Sequence, residues 1–162
     1  GHHIAMQKIP IRRDSLDQLQ EELKQLKTVE RPQIIKAISE AREHGDLSEN
    51  AEYHAARERQ SFVEGRVGEL EDVISRAEVI DPSMIDGKTV TFGTTIVVAD
   101  EDTDKENTYT IVGPYEADIS KSWISTSSPI GNALIGKKVG DSVEVTTPRG
   151  AKSYEILKIS VT

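Results

Sequence analysis

Cysteine is missing from all 162 residues, which excludes disulfides and thiolate metal sites and fits a reducing cytoplasm. Aromatic residues are scarce: two Phe, one Trp and four Tyr make up 4% of the chain. The chain has no signal-peptide pattern and no apolar run approaching the roughly 20 residues that span a bilayer, so the expectation is a soluble, cytoplasmic protein without a membrane partner. Positive charge is in deficit, with 20 Lys and Arg against 28 Asp and Glu and a net charge of -8. Bare duplex nucleic acid should repel such a chain, because affinity for it rests mainly on neutralising phosphates. Any contact with nucleic acid must therefore be local or assisted by a partner.

Gly1 to Ala5 read as the remnant of an affinity tag and Met6 as the native start, so His2 and His3 take no part in metal reasoning. From Asp14 to about Ala77 the chain is charged and free of glycine until Gly45. Leu16, Leu19, Leu23 and Leu26 fall at alternating steps of three and four, which is a heptad seam. Apolar positions resume at Ile34, Ile38 and Ala41 out of phase with the first run, so Pro32 should start a new helix or kink one. A second seam through Ala56, Val63, Val67, Leu70, Ile74 and Ala77 predicts a helix of about 30 residues from the Leu47 region, about 45 Å long. Between the seams, Gly45 suits a left-handed C-cap and His44 the negative end of the first helix. The pattern is an antiparallel helical hairpin over residues 6–80, with its tip near 44–50 and its seams buried mostly against each other.

Composition changes at Asp81-Pro82. Beta-branched runs at Thr89 to Phe92, Thr95 to Val98, Thr108 to Val112, Val143 to Thr147 and Tyr154 to Ile159 read as strands, and Gly, Pro and Asp clusters between them read as turns. Pro129 to Ile135 can form one short helix with Ser128 as its N-cap. The fold class is α+β: a helical hairpin, then a small, mainly antiparallel β domain with a short helix over 81–162.

The tip holds Asp46, Glu49 and Glu52 within one or two helical turns. Two readings stand side by side. Asp46 followed by Glu49 fits a capping box, with Asp46 or Ser48 accepting backbone N–H groups. Alternatively, outward carboxylates are hard oxygen ligands for Mg²⁺, which binds through one or two carboxylates plus waters and phosphates. Two carboxylates cannot complete a metal site, so they would have to finish one belonging to another macromolecule. Arg42 and Arg57 flank the tip with Arg59 nearby, suited either to phosphates or to ion pairs on the helix surface. Tyr53 can pack across the hairpin or touch a base, and a lone His54 is a poor metal ligand.

Ala41-Arg42-Glu43-His44-Gly45-Asp46-Leu47-Ser48-Glu49-Asn50-Ala51-Glu52-Tyr53-His54-Ala55-Ala56-Arg57 resembles the signature of the Gre transcription elongation factors. The resemblance extends to Arg31-Pro32, Ile34-Ile35, Gly65-Arg66, Val79-Ile80-Asp81, Tyr109 to Gly113 and Ser128-Pro129-Ile130-Gly131. The second arm is acidic and alanine-containing instead of broadly basic, which resembles one of the branches of that family. The resemblance implies a protein that is not itself an enzyme. Its hairpin would enter the secondary channel of bacterial RNA polymerase and stimulate the polymerase's own cleavage of backtracked nascent RNA. Asp46 and Glu49 would help hold a weakly bound Mg²⁺ only in the polymerase complex, no cofactor being held stably by the chain alone. Arg42 and Arg57 would contact the RNA near its 3′ end, and Ser48 and Tyr53 would support the tip. The β domain would be similar in fold to the FK506-binding prolyl isomerases and would dock on the coiled-coil rim of the channel near Asp118, Ser128 and Pro129, in a monomeric protein. Asn132 stands where many relatives carry a basic residue.

Three other readings compete. A prolyl isomerase needs clustered aromatics, whereas Phe92, Tyr109, Tyr115, Trp123 and Tyr154 are dispersed along the sequence. A coiled-coil adaptor would use the tip acids only as caps. An inhibitory relative blocking the same channel fits poorly with intact Asp46 and Glu49.

Overall fold

The computed structural model describes residues 7–46 and 49–161. The chain order is β1 (Ile9–Ile11), α1 (Arg13–Gln25), a π-turn (Leu26–Glu30), α2 (Arg31–Arg42), α3 (Ala51–Arg76), β2 (Ala77–Val79), β3 (Thr94–Asp100), β4 (Glu106–Val112), β5 (Trp123–Ser125), α4 (Pro129–Leu134), β6 (Ser142–Thr147) and β7 (Gly150–Val161). The described residues fall into two compact units: 7–8 with 14–77, and Ile9–Arg13 with 78–161. Among the described residues no helix is long and apolar enough to cross a membrane.

The phase break between Leu26 and Ile34 has a local cause. Continuing the first seam by threes and fours would reach positions 33 and 37, one residue short of the buried Ile34 and Ile38. The π-turn absorbs that residue: the Arg31 N–H donates to the Leu26 carbonyl, five residues back. Pro32 lies in the first turn of α2, where its missing N–H is tolerated. It does not begin a separate helix, since Glu30 and Arg31 both keep right-handed helical angles.

Ile34, Ile38, Ala56, Val63 and Val67 form the hairpin core, with Leu23, Leu26, Ala37 and Tyr53 packed on it. Each large aliphatic side chain buried there contributes about 1.5–3 kcal/mol. Toward its C-terminal end α3 buries Leu70 and Val73 rather than the expected Ile74, because Val73 continues the step of three from Val67 and Leu70. Ala77 already belongs to a strand. The arms are also clamped by paired charges. Arg66 grips Glu22 with two bonds of 2.6 and 2.9 Å, and Arg31 grips Glu64 at 2.9 and 2.7 Å. These fork-to-fork bonds hold both carboxyls below their ordinary range. Being partly exposed, they fix register more than they add stability.

In the second unit the strand order is β5-β4-β3-β7-β6. Central β3 alternates buried and half-buried along Thr94–Asp100, putting Ile96 and Val98 in a core with Val90, Ile111, Leu134, Val143, Val145 and Ile156. All pairings are antiparallel except β4 with β5, which is parallel over three residues. A bulge between Val97 and Val98 shifts the register against the long β7.

The expected strand at Thr89 to Phe92 is not one. Val90 is fully buried, but its backbone exchanges bonds with the turn after α4, accepting from Gly136 N and donating to Lys137 O. Its β-branched composition reflects core burial rather than a place in the sheet. Three short strands had no composition signal: β1 and β2, which form a separate two-stranded sheet, and β5. Three residues are too few for a readable alternation.

Candidate functional site at the hairpin tip

The tip is built by the ends of α2 and α3. Arg42 closes α2, His44 N donates to Ala41 O at 3.1 Å, and Gly45 turns the chain with φ of +104°. That angle favours glycine because it has no Cβ.

The N-cap of α3 is Asn50. Its carboxamide oxygen accepts from Tyr53 N at 3.0 Å, while its amide nitrogen donates to Ala41 O at 2.6 Å. One side chain therefore caps the second helix and ties it to an end carbonyl of the first. In the sequence, one of the two readings of the tip gives capping to Asp46 or Ser48, and the second seam predicts a helix from the Leu47 region. The helix instead starts at Ala51, spans 26 residues and is about 39 Å long. Ser48 lies outside the described residues. An Asn immediately before a run of good helix formers was the signal for this cap. Replacing Asn50 with Ala should cost about 1–2 kcal/mol in denaturant unfolding. Amide exchange should then quicken at Tyr53 and His54 before it does at Val63 or Val67.

With Asn50 taking the cap, Asp46 and Glu49 are both exposed at the turn, and Glu49 makes no hydrogen bond or ion pair among the described residues. Glu52 is drawn aside by His44, with Nε2 to Oε2 at 3.7 Å. No group of three or more His, Asp or Glu side chains among the described residues could hold a metal ion. Anionic oxygen donors are of the kind Mg²⁺ takes, and two exposed carboxylates are too few to enclose it.

The tip arginines differ. The Arg42 guanidinium lies 6.0 Å from the Tyr53 ring centroid, and Tyr53 is half-buried on the hairpin core. Tyr53 also meets His54 edge to face at 5.5 Å. Arg57 donates to Gln60 Oε1 at 2.8 Å and has no carboxylate partner among the described residues. Arg59 is engaged by Glu30 across the hairpin at 3.1 Å, so its charge is already countered.

In the sheet unit, the Asp118 carboxylate accepts from Ser120 N and Oγ at 3.0 and 2.6 Å, which holds it below the usual carboxylate range. Ser128 caps α4 by accepting from Gly131 N at 3.1 Å, and Pro129 is the first residue of that helix. Pro129 and Asn132 are exposed, while Asp118 and Ser128 are half-buried. Tyr109 and Tyr154 pack against the core.

The helical hairpin and the five-stranded sheet that follows it in sequence each coincide with one of two family models, both of transcription elongation factors. Residues 9–79 match the family model described as transcription elongation factor, N-terminal, and residues 85–161 match transcription elongation factor, GreA/GreB, C-term. The chain is 64% identical over 154 residues to transcription elongation factor GreA of Rhodospirillum rubrum, covering 95% of this chain and 98% of that one. Against the same factor of Paracoccus denitrificans the identity is 60%, with the same coverage. Among solved structures it is similar to GreA factor homolog 1 of Thermus thermophilus, at 25% identity and a TM-score of 0.44, covering 95% of this chain and 99% of that one. The chain belongs to the GreA/GreB family of transcription elongation factors.

Proposed function

We propose that the hairpin enters the secondary channel of bacterial RNA polymerase and presents Asp46 and Glu49 to the polymerase active site, stimulating cleavage of backtracked RNA and rescuing arrested complexes. The observation that carries this reading is the exposure of both carboxylates at the turn of a two-helix rod whose cap is supplied by Asn50. Asp46 and Glu49 would share in holding Mg²⁺ with the polymerase's own ligands. When bound there, Mg²⁺ lowers the pKa of water and neutralises charge at the scissile phosphate. The chain's residues supply anionic oxygen at a fixed reach. Arg57, without a carboxylate partner among the described residues, and Arg42, spread over Tyr53, offer guanidinium donors to RNA phosphates near the 3′ end. The sheet unit would dock on the coiled-coil rim through the exposed side of α4, near Pro129, with Asp118 and Ser128 shaping the adjoining backbone. The chain then acts as an activator of the polymerase's endonuclease and not as an enzyme by itself.

Because the chain has no cysteine, Glu43→Cys gives a single labelling site beside the tip. An iron-chelate cleavage reagent attached there should cut RNA polymerase around its catalytic centre and the RNA near its 3′ end. Cuts confined to the outer surface of the polymerase would contradict insertion.

A further inference from the structure

Phe62 is 76% exposed on α3, although the seam residue beside it, Val63, is buried. It divides two shallow grooves on the hairpin. One is lined by Leu26, Ala55, Glu58 and Arg59, the other by Ser61, Gly65, Arg66 and Glu69. A solvent-exposed Phe adds little to the stability of the hairpin and presents apolar area to water.

The neighbouring glycines add a second observation. Gly65 and Gly68 lie inside α3, where glycine is less favourable than alanine. A Cβ at either position would meet nothing within 4 Å, so packing inside the chain does not call for glycine there. Gly65 lies three residues beyond Phe62 on the same helix face and leaves a notch beside the ring. A ridge next to a notch is a shape that another surface can fit closely.

Charge indicates what kind of surface. Arg59 is paired with Glu30, Arg66 with Glu22 and Glu69, and Arg31 with Glu64. Glu58, one turn before Phe62 on the same face, has no ion pair among the described residues. The patch therefore offers an aromatic ring, a notch and one uncountered carboxylate. Its complement is an apolar cleft bordered by a cation. Phe62 lies eleven residues into α3, roughly 16 Å along the helix from its first residue. A macromolecule that encloses the tip over such a depth must also face Phe62.

We infer that Phe62 is a binding anchor midway along the hairpin, inserting into an apolar cleft in the wall of the polymerase channel while Glu58 meets a basic side chain at its border. The inference rests on the insertion reading above and deepens it. Phe62 contributes affinity along the arm of the hairpin; it does not touch the reacting atoms.

The test measures binding and cleavage separately with the whole 162-residue chain and stalled, backtracked bacterial elongation complexes. Phe62→Ala should raise the half-saturating protein concentration for polymerase binding by about tenfold or more, as truncation of a buried interface aromatic does. Glu58→Gln should raise it a few-fold, with a weaker salt dependence. Thermal melting of both variants should match the native chain, and Phe62→Leu should recover part of the affinity. At saturating protein the Phe62→Ala cleavage rate should approach the native one. Native affinity in Phe62→Ala would overturn the inference even if the native chain stimulates cleavage. No binding of the native chain would overturn both this and the insertion reading. Phe62-dependent binding without stimulated cleavage would uphold the anchor and sink only the cleavage role.

Discussion

Asp46→Asn together with Glu49→Gln should reduce stimulated transcript cleavage by at least about 100-fold while leaving affinity for polymerase within a few-fold of native. The amides keep the size and shape of the acids and remove only their charge. A catalytic metal contributes several kcal/mol to stabilising the transition state, which is forfeited when the ligands that help hold it lose their charge, and each 1.36 kcal/mol is a factor of ten in rate. The α3 cap itself is untouched by the change, because it is supplied by Asn50. Single-turnover RNA cleavage at saturating protein, with melting as a control, separates the outcomes. Retained cleavage in the double variant would mean that the acids serve only the turn.

The second large effect concerns the sheet unit. Gly131→Ala should lower its stability by roughly 3 kcal/mol, toward the upper end of what overpacking costs. A Cβ at Gly131 would sit 2.1 Å from the Ser125 carbonyl oxygen and 3.1 Å from its carbonyl carbon. Both are backbone atoms at the end of β5, so no rotamer change relieves the contact. Ser125 is itself fixed, because its carbonyl accepts from Ser128 N at 3.1 Å and from Ser128 Oγ at 2.7 Å. In a unit of this size the melting temperature should fall by roughly 15 °C. Calorimetry that follows the two units should find the sheet transition lowered and the hairpin transition unchanged.

The helical hairpin and the principal strands were legible because long amphipathic segments repeat their period many times. The seam of α1 and the buried Ile34, Ile38 and Ala41 of α2 were readable one residue at a time. The phase break was visible as well, but sequence could not tell a kink from a π-turn, since both follow from a proline near an inserted residue. Short pairings were less legible. Ile9–Ile11 joins the sheet unit through tertiary bonds: Arg12 N donates to Glu116 Oε2 at 3.3 Å, and Ile80 N donates to Ile11 O at 3.1 Å. Glu116 is buried and also accepts from Gly113 N, a role no local pattern announces. At the tip the acids and arginines stand out in the sequence by their chemistry and by resemblance. Asn50 was missed because Asp46 and Ser48 offered equally good caps a few residues earlier, and only three-dimensional closure on Ala41 distinguishes them.

The central claim is that two carboxylates of this chain help hold Mg²⁺ in another protein's active site. Its most direct test is a Mg²⁺ titration of RNA cleavage in backtracked elongation complexes, with the native chain, with the Asp46→Asn and Glu49→Gln double variant, and with neither. The account predicts that the native chain lowers the half-saturating Mg²⁺ concentration and that the double variant, though bound, leaves it where it is without protein. The same Mg²⁺ dependence in all three would contradict it.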